Sequence, residues 1–540
     1  MTNLATHERA DHTPSAWAPF GYPAFSVLWI ATVISNVGTW MNEVGAGWLM
    51  TELSPSPLVV ASVQAAATLP IFLFALLAGA IADIVDRRKM LITVNALTFL
   101  VVTALATLVY LDMMTPALLL VFIFLGGTGA AFMAPAWQAI VPKLVPREAL
   151  PPAIALNSMG INVSRAIGPA LAGVLIVGLG LWSPFAINAA SFLVILAALW
   201  WWTPPQDAKR TLPAEKVGRA LLSGLRYAAN SKPLMATLIR AAAFFVCASA
   251  YWAMLPLIAR DVLNGGATLY GVLLGAVGAG AVGGALILPR LRGQLGSDLT
   301  VAAGTICTAI VLAAFALLPY PIAAVGASAM GGVGWIAVLS SLHVSTQTSL
   351  PDWVRARGLS IFLTVFFGAM SGGSLIWGQV ASLFGIPTAL LIASAGALVL
   401  IPITWRAKLN KGTGADLSPS GHWPEPDYRL DSDAGARPVM IQITYAIAQP
   451  DAEHFIALMH ELVRERRRGG GYNWSLMEDS AAPGTYVETW FEPSLTDHMR
   501  HHARVSEADR ALQERVLALQ AAGQPDVRHF IQPNTKGDSL

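Results

Sequence analysis

Glu43 and Arg165 are charges placed where a long apolar run makes them expensive. Glu43 ends the stretch Asn36-Val-Gly-Thr-Trp40-Met-Asn42-Glu43, and Arg165 lies in Ser164-Arg-Ala-Ile-Gly168-Pro169-Ala-Leu-Ala-Gly173. An ionisable side chain inside a membrane segment marks a candidate functional site by default. Burial and a nearby arginine act in opposite directions on the proton affinity of a carboxylate. A Glu43 whose surroundings change could therefore take up and release a proton; the alternative is a solvated position near the outer interface. Arg165 cannot discharge. It could bind an anionic group of a transported molecule, or the Glu43 carboxylate, and its alternative is a structural ion pair or carbonyl contact. Arg240 also falls in an apolar run, where snorkelling to the cytoplasmic face is expected.

A second constellation joins two apolar runs. Gly79-Ala-Ile-Ala-Asp83-Ile-Val-Asp86-Arg87-Arg88-Lys89 sets two carboxylates and three cations in a very short connection. Any short cytoplasmic loop attracts Lys and Arg. That does not explain Asp83, since an acid at a helix end in the membrane needs a partner. A third pattern occurs twice. Gln138 and Pro142, followed by Arg147, return 209 residues later as Gln347 and Pro351, followed by Arg355. Gly79 and Arg87 likewise meet Gly284 and Arg292 at an offset of 205, with Leu288 near the place of Asp83.

The elements that position these residues are membrane spans. Hydrophobic residues make up 55% of the chain and charged ones 12%, against roughly 25% charged in a soluble domain. Twelve runs are long enough to cross the bilayer, near 24–50, 58–82, 90–111, 117–140, 151–179, 184–202, 234–258, 267–288, 299–318, 322–346, 354–383 and 387–405. One alternate set of loops holds fifteen Lys and Arg, and the other holds only Arg260. The positive-inside rule then puts both termini in the cytoplasm. The first run exceeds a signal-peptide core and reads as an uncleaved helix. Cys247 and Cys307 lie within runs and read as packing residues. A net charge of +2 supports no nucleic-acid partner.

The loop Gly79–Arg88 resembles the signature between the second and third helices of the major facilitator superfamily, and the Gln-x-x-x-Pro repeats are similar to its internal repeat. Gly168, Pro169 and Gly173 resemble the Gly-Pro motif of its antiporters, although Ser164 stands where that pattern has glycine. The wording around Asn36–Met41, Leu144–Glu148 and Ala153–Ser158 resembles the transmembrane secretion effector branch, which includes enterobactin exporters. The resemblance covers roughly residues 20–405. It implies an all-α polytopic protein of two six-helix bundles. It also implies proton-coupled efflux of a small amphipathic molecule across the bacterial inner membrane, without enzymatic activity or cofactor. An importer, a uniporter, or a membrane-tethered enzyme or sensor are the alternatives.

The expected divisions are a cytoplasmic tail (1–22), a first bundle (23–203), a central linker (204–233), a second bundle (234–406), a flexible linker (407–436) and a soluble domain (437–535). In the last, strand and helix patterns alternate as β-α-β-β-α-β, a ferredoxin-like order. It resembles the dimeric α/β barrel family that includes antibiotic-biosynthesis monooxygenases, which implies a homodimer or a regulatory role. His498 and His502 are four residues apart on a helix with no paired acid motif. The expectation is a solvated helix and no metal.

Overall fold

The computed structural model describes residues 15–203, 217–410, 416–423, 437–521 and 523–533. Twelve helices precede the sheet domain. They are α1 (Pro23–Leu53), α2 (Pro57–Ile84), α3 (Arg87–Tyr110), α4 (Pro116–Ile140), α5 (Leu150–Leu179), α6 (Ser183–Trp201), α7 (Val217–Asn230), α8 (Lys232–Leu257), α9 (Ala267–Leu317), α10 (Pro321–Thr348), α11 (Arg355–Phe384) and α12 (Ile386–Thr404). Among the described residues, eleven helices are long and apolar enough to cross a membrane. The other, α7, is the amphipathic helix of the central linker. Two expected runs, 267–288 and 299–318, share α9, whose 51 residues are interrupted at Gly296 (φ 76°, ψ 171°). Glycine takes that conformation without a side-chain clash. Proline opens α1, α2, α4 and α10, where its missing N–H has no helical partner to lose.

The two halves meet where α2 packs on α11 and α5 on α9. Small residues make both approaches possible. A Cβ added to Gly271 of α9 would overlap the Pro169 carbonyl oxygen, and one on Gly278 would fall 2.9 Å from Ala166 Cα. A Cβ on Gly173 would sit 3.0 Å from the Ala267 carbonyl oxygen. At the other seam, Leu58 N donates to Ser382 Oγ at 3.1 Å and Ser371 Oγ to Ala65 O at 3.4 Å. Leu58, Ser382, Gly173 and Ala267 all lie beside loops of the charge-poor set. The halves thus pack closely toward that end of the molecule.

The final domain contains β1 (Val439–Ala446), α13 (Ala452–Gly469), β2 (Tyr472–Glu478), β3 (Thr485–Glu492), α14 (Leu495–His502), α15 (Glu507–Leu517) and β4 (Asp526–Ile531). Its sheet has the order β2-β3-β1-β4 with every neighbouring pair antiparallel. Val439, Ile441, Tyr445, Tyr486 and Trp490 are buried on the helix-covered face. On the opposite face Met440 stands across from both Phe491 and Phe530, and Tyr472 across from Phe491. The domain docks on the transmembrane part through α13 against α7. The Arg504 guanidinium lies 4.3 Å from the Trp353 ring centre, and that of Arg468 lies 5.9 Å from the Tyr227 ring centre.

Candidate functional site

The chemistry-bearing residues come together at the seam between the halves. Trp40 and Glu43 are on α1 and Arg165 is on α5, all three half-buried. The Arg165 guanidinium lies over the Trp40 ring, 5.2 Å from its centre, within the reach of a cation–π attraction. Gly168, three residues on, makes room for this pairing, since a Cβ there would be 2.6 Å from Trp40 Cβ. Glu43 and Arg165 are within electrostatic reach of each other. Across the seam, Tyr251 of α8 is within reach of Arg165, and Tyr270 of α9 within reach of Glu43.

Four buried polar atoms in this neighbourhood lack a hydrogen-bond partner among the described residues: Asn42 Oδ1, Arg165 Nε, Tyr251 Oη and Trp252 Nε1. Each such orphan is costly, and a group of them in a native structure needs an explanation. Trp252 continues into an aromatic wall, 5.1 Å from Trp335 between ring centres, and Trp335 meets Phe245 and Phe366. A few convergent polar groups beside an apolar aromatic wall is the make-up of a small-molecule site. Tyr251, Trp252 and Tyr270 were not among the candidates read from the sequence. No local pattern separates them from the other aromatic residues of the spans.

The loop residues hold specific posts. Asp86 caps α3, its Oδ1 accepting from Lys89 N at 2.9 Å. Arg88 ties α3 to the end of α6, donating to the Leu199 and Trp200 carbonyls at 2.8 and 2.6 Å. Arg87 Nε donates to Ala82 O at 3.4 Å. Asp83 lies in the last turn of α2, and its side chain is outside the described residues, as is that of Arg147. Gly79 is open, with nothing near an added Cβ. In the repeat, Gln138 and Gln347 occupy the last turns of α4 and α10, and both are exposed. Pro142 is exposed whereas Pro351 is buried. Arg355 pairs with Asp352, and Arg357 Nη1 donates to Ser223 Oγ of α7 at 2.7 Å.

Two expectations are corrected. Arg240 does not snorkel. It is 4% exposed and bonded to Asp298 at 2.8 Å, and Asp298 also accepts from Leu409 N. The break at Gly296 brings this carboxylate to α8, a position that hydropathy does not reveal. Nor is α14 a solvated helix, since His498 and His501 are 1% and 2% exposed. His501 lies between Glu492 and Glu465, at 2.8 and 2.7 Å. Arg466 forks onto Glu488 at 3.1 and 3.4 Å and reaches Glu465 at 2.9 Å. Burial works against a charged His501, but Glu492 and Glu465 outweigh it and hold its pKa up at about 9. Burial also disfavours the Glu465 carboxylate, yet Arg466 and His501 outweigh it and hold it down at about 2.

A depressed carboxylate stabilises the fold fully above its unfolded pKa, and that contribution is lost as pH falls through the folded value. Glu465 therefore supports the domain above about pH 4.5 and ceases to do so near pH 2. Breaking a buried pair leaves an uncompensated charge and costs about 3–5 kcal/mol. Arg466→Met, which removes the only cation paired with Glu488 among the described residues and leaves Glu465 with His501 alone, is expected to lower sharply the melting transition of residues 411–540 expressed alone. Circular dichroism reads this, and an unchanged transition would show that the network adds nothing.

The sequence matches the family described as transmembrane secretion effector over residues 14–537. It is 25% identical over 359 residues to the staphyloferrin A transporter of Staphylococcus aureus, covering 65% of this chain and 87% of that one. It is 27% identical over 391 residues to the enterobactin exporter EntS of Salmonella typhi, covering 70% and 91%. Among solved structures, the nucleoside transporter NupG superposes with a TM-score of 0.59 at 14% identity, covering 71% of this chain and 99% of that one. With the match running nearly end to end and the fold shared with a known transporter, the chain belongs to the transmembrane secretion effector family of major facilitator transporters.

Proposed function

We propose that this transporter exports a small amphipathic, anionic molecule of the siderophore type across the inner membrane by alternating access, in exchange for protons. The observation that carries this reading is the meeting of Glu43, Arg165, Tyr251 and Trp252 at the seam, with four polar atoms unpartnered. Arg165 anchors an anionic group of the substrate, the aromatic wall takes its rings or chains, and Glu43 carries the proton. Both termini face the cytoplasm, so the closely packed, charge-poor end is the outer one and the conformer faces inward. A single 51-residue helix would run about 76 Å against about 30 Å of hydrocarbon. The break at Gly296 therefore turns α9 into two crossings, twelve in all. The proposed divisions are a first bundle (23–203), a central linker (204–233), a second bundle (234–406), a further linker (407–436) and a soluble domain (437–535).

The last domain is ferredoxin-like, which its order β2-β3-β1-β4 favours. It serves as a cytoplasmic accessory module. Met440, Phe491, Phe530 and Tyr472 on its uncovered sheet face suit pairing with a second copy, so light scattering of the separated domain is expected to give a dimer mass. Transport itself is tested with inside-out vesicles and labelled enterobactin or staphyloferrin A as probes. Uptake driven by an imposed proton gradient is the expected result. Failure with both probes would remove the siderophore-type assignment, and gradient-insensitive uptake would remove the proton.

A further inference from the structure

The polar interior of the last domain holds a cluster that transport does not use. His498 and His502 stand one turn apart on α14. His529 comes from β4, directly across from Ile441 in the sheet register, and so faces the same helix-covered side. His498 Nε2 is 3.1 Å from His529 Nε2 and 3.1 Å from His502 Nε2. Ligand nitrogens of all three rings lie within 4.8 Å of one another. Three nitrogens held about 2.0–2.1 Å from a tetrahedral ion are about 3.3–3.4 Å apart. Two of the spacings are already close to that.

Hydrogen-bond accounting favours an ion at this point. A neutral imidazole carries one N–H. His498 Nδ1 is buried without a hydrogen bond and lies 3.3 Å from Glu492 Oε1, a carboxylate that only accepts. A proton on Nδ1 is the tautomer this neighbour favours, and it leaves Nε2 with a bare lone pair. His502 and His529 would then both have to donate to the same lone pair, whereas a cation accepts all three. The carboxylate–histidine pairing is also the usual outer support of a metal-bound imidazole, fixing its tautomer and orientation. The Trp423 ring covers the cluster, 4.7 Å from His502 between centres. His498 is buried while His502 and His529 are half-exposed, which leaves a fourth position toward solvent.

We propose that His498, His502 and His529 form a three-histidine site for a divalent late first-row transition ion, with Zn2+ as its first occupant. Imidazole donors select Zn, Cu, Ni and Fe over Mg and Ca. The expectation of no metal rested on a solvated helix lacking an acid partner. The fold buries the helix and supplies Glu492. A bound ion would also staple β4, at the edge of the sheet, to α14. The chain beyond α14 reaches Arg504, which stacks on Trp353 in the loop between α10 and α11. The ion thus sits next to the contact that docks the domain on the transporter.

The test uses the full-length protein in detergent, carried on a tag without histidines, stripped with chelator and titrated with Zn2+. One Zn2+ per chain by elemental analysis is the expected result. His502→Ala and His529→Ala each lower affinity at least tenfold, while His460→Ala, elsewhere in the domain, leaves it unchanged. Because the variants could disturb folding, Co2+ is loaded into the unmutated protein as an independent reading. The intense visible bands of a tetrahedral nitrogen site are expected. Either no Zn2+ beyond that kept by the double variant His502→Ala/His529→Ala, or a Co2+ spectrum of the hydrated ion, overturns the site.

Discussion

Glu43→Gln is expected to bind substrate normally but lose all accumulation driven by a pH difference. If one proton is exchanged per molecule, each pH unit supplies about 1.4 kcal/mol and so about a tenfold concentration ratio. Glutamine keeps the shape and hydrogen bonding of the carboxyl but has no proton to exchange, so the ratio falls to about one. The physical basis is the position of Glu43 at the seam. It is half-buried on α1, facing a cation on α5 and a phenol on α9. A change in the approach of the halves changes the field at its oxygens, and that couples protonation to conformation. Vesicle accumulation at an imposed ΔpH, beside equilibrium binding of the same probe, separates the two effects. A Glu43→Gln protein that still concentrates substrate tenfold per pH unit would assign the proton to another group.

Asp83→Asn is expected to cut transport by one to two orders of magnitude at unchanged expression. Asp83 lies in the last turn of α2, and α11 starts at Arg355 behind Val354, an N-cap residue whose side chain makes no capping hydrogen bond. In the conformer closed at the basic end, the carboxylate would meet that positive helix terminus and the nearby arginines Arg355 and Arg357. A hydrogen bond to a charged group is worth about 1.5–3 kcal/mol, or roughly 10- to 100-fold in a two-state balance. In the present conformer Arg355 is held by Asp352 and Arg357 by Ser223, partners that it would release on closure. Efflux at the unmutated rate by Asp83→Asn would remove this gate. Cysteine accessibility on the two faces would show whether the population has moved toward the inward-facing state, as the loss of a closing contact requires.

The transmembrane plan was legible from sequence because its causes are local. A run of about twenty apolar residues crosses a bilayer whatever its neighbours are, and loop charge orients it. Asp86 and Arg88 were singled out as candidates the same way, by residue type and spacing, and so were Glu43 and Arg165. Sequence could not supply the other side of the seam. Tyr251, Trp252 and Tyr270 join the candidate site only because α5 and α9 approach closely enough at Gly271 and Gly278 to bring α8 and α9 within electrostatic reach of Arg165 and Glu43. Arg240 looked like a charge seeking water until the break at Gly296 delivered Asp298 to it. His498 and His501 lie on a helix whose sequence is polar enough to read as solvated, with a hydrophobic surface too sparse to announce burial. Their burial depends on Glu465, Glu488 and Glu492, which β3 and α13 turn inward, and His529 joins them from a strand 31 residues further on. Composition and periodicity report what one segment prefers in a given solvent. Which charges face each other inside is a property of how the segments pack, and only the tertiary structure decides it.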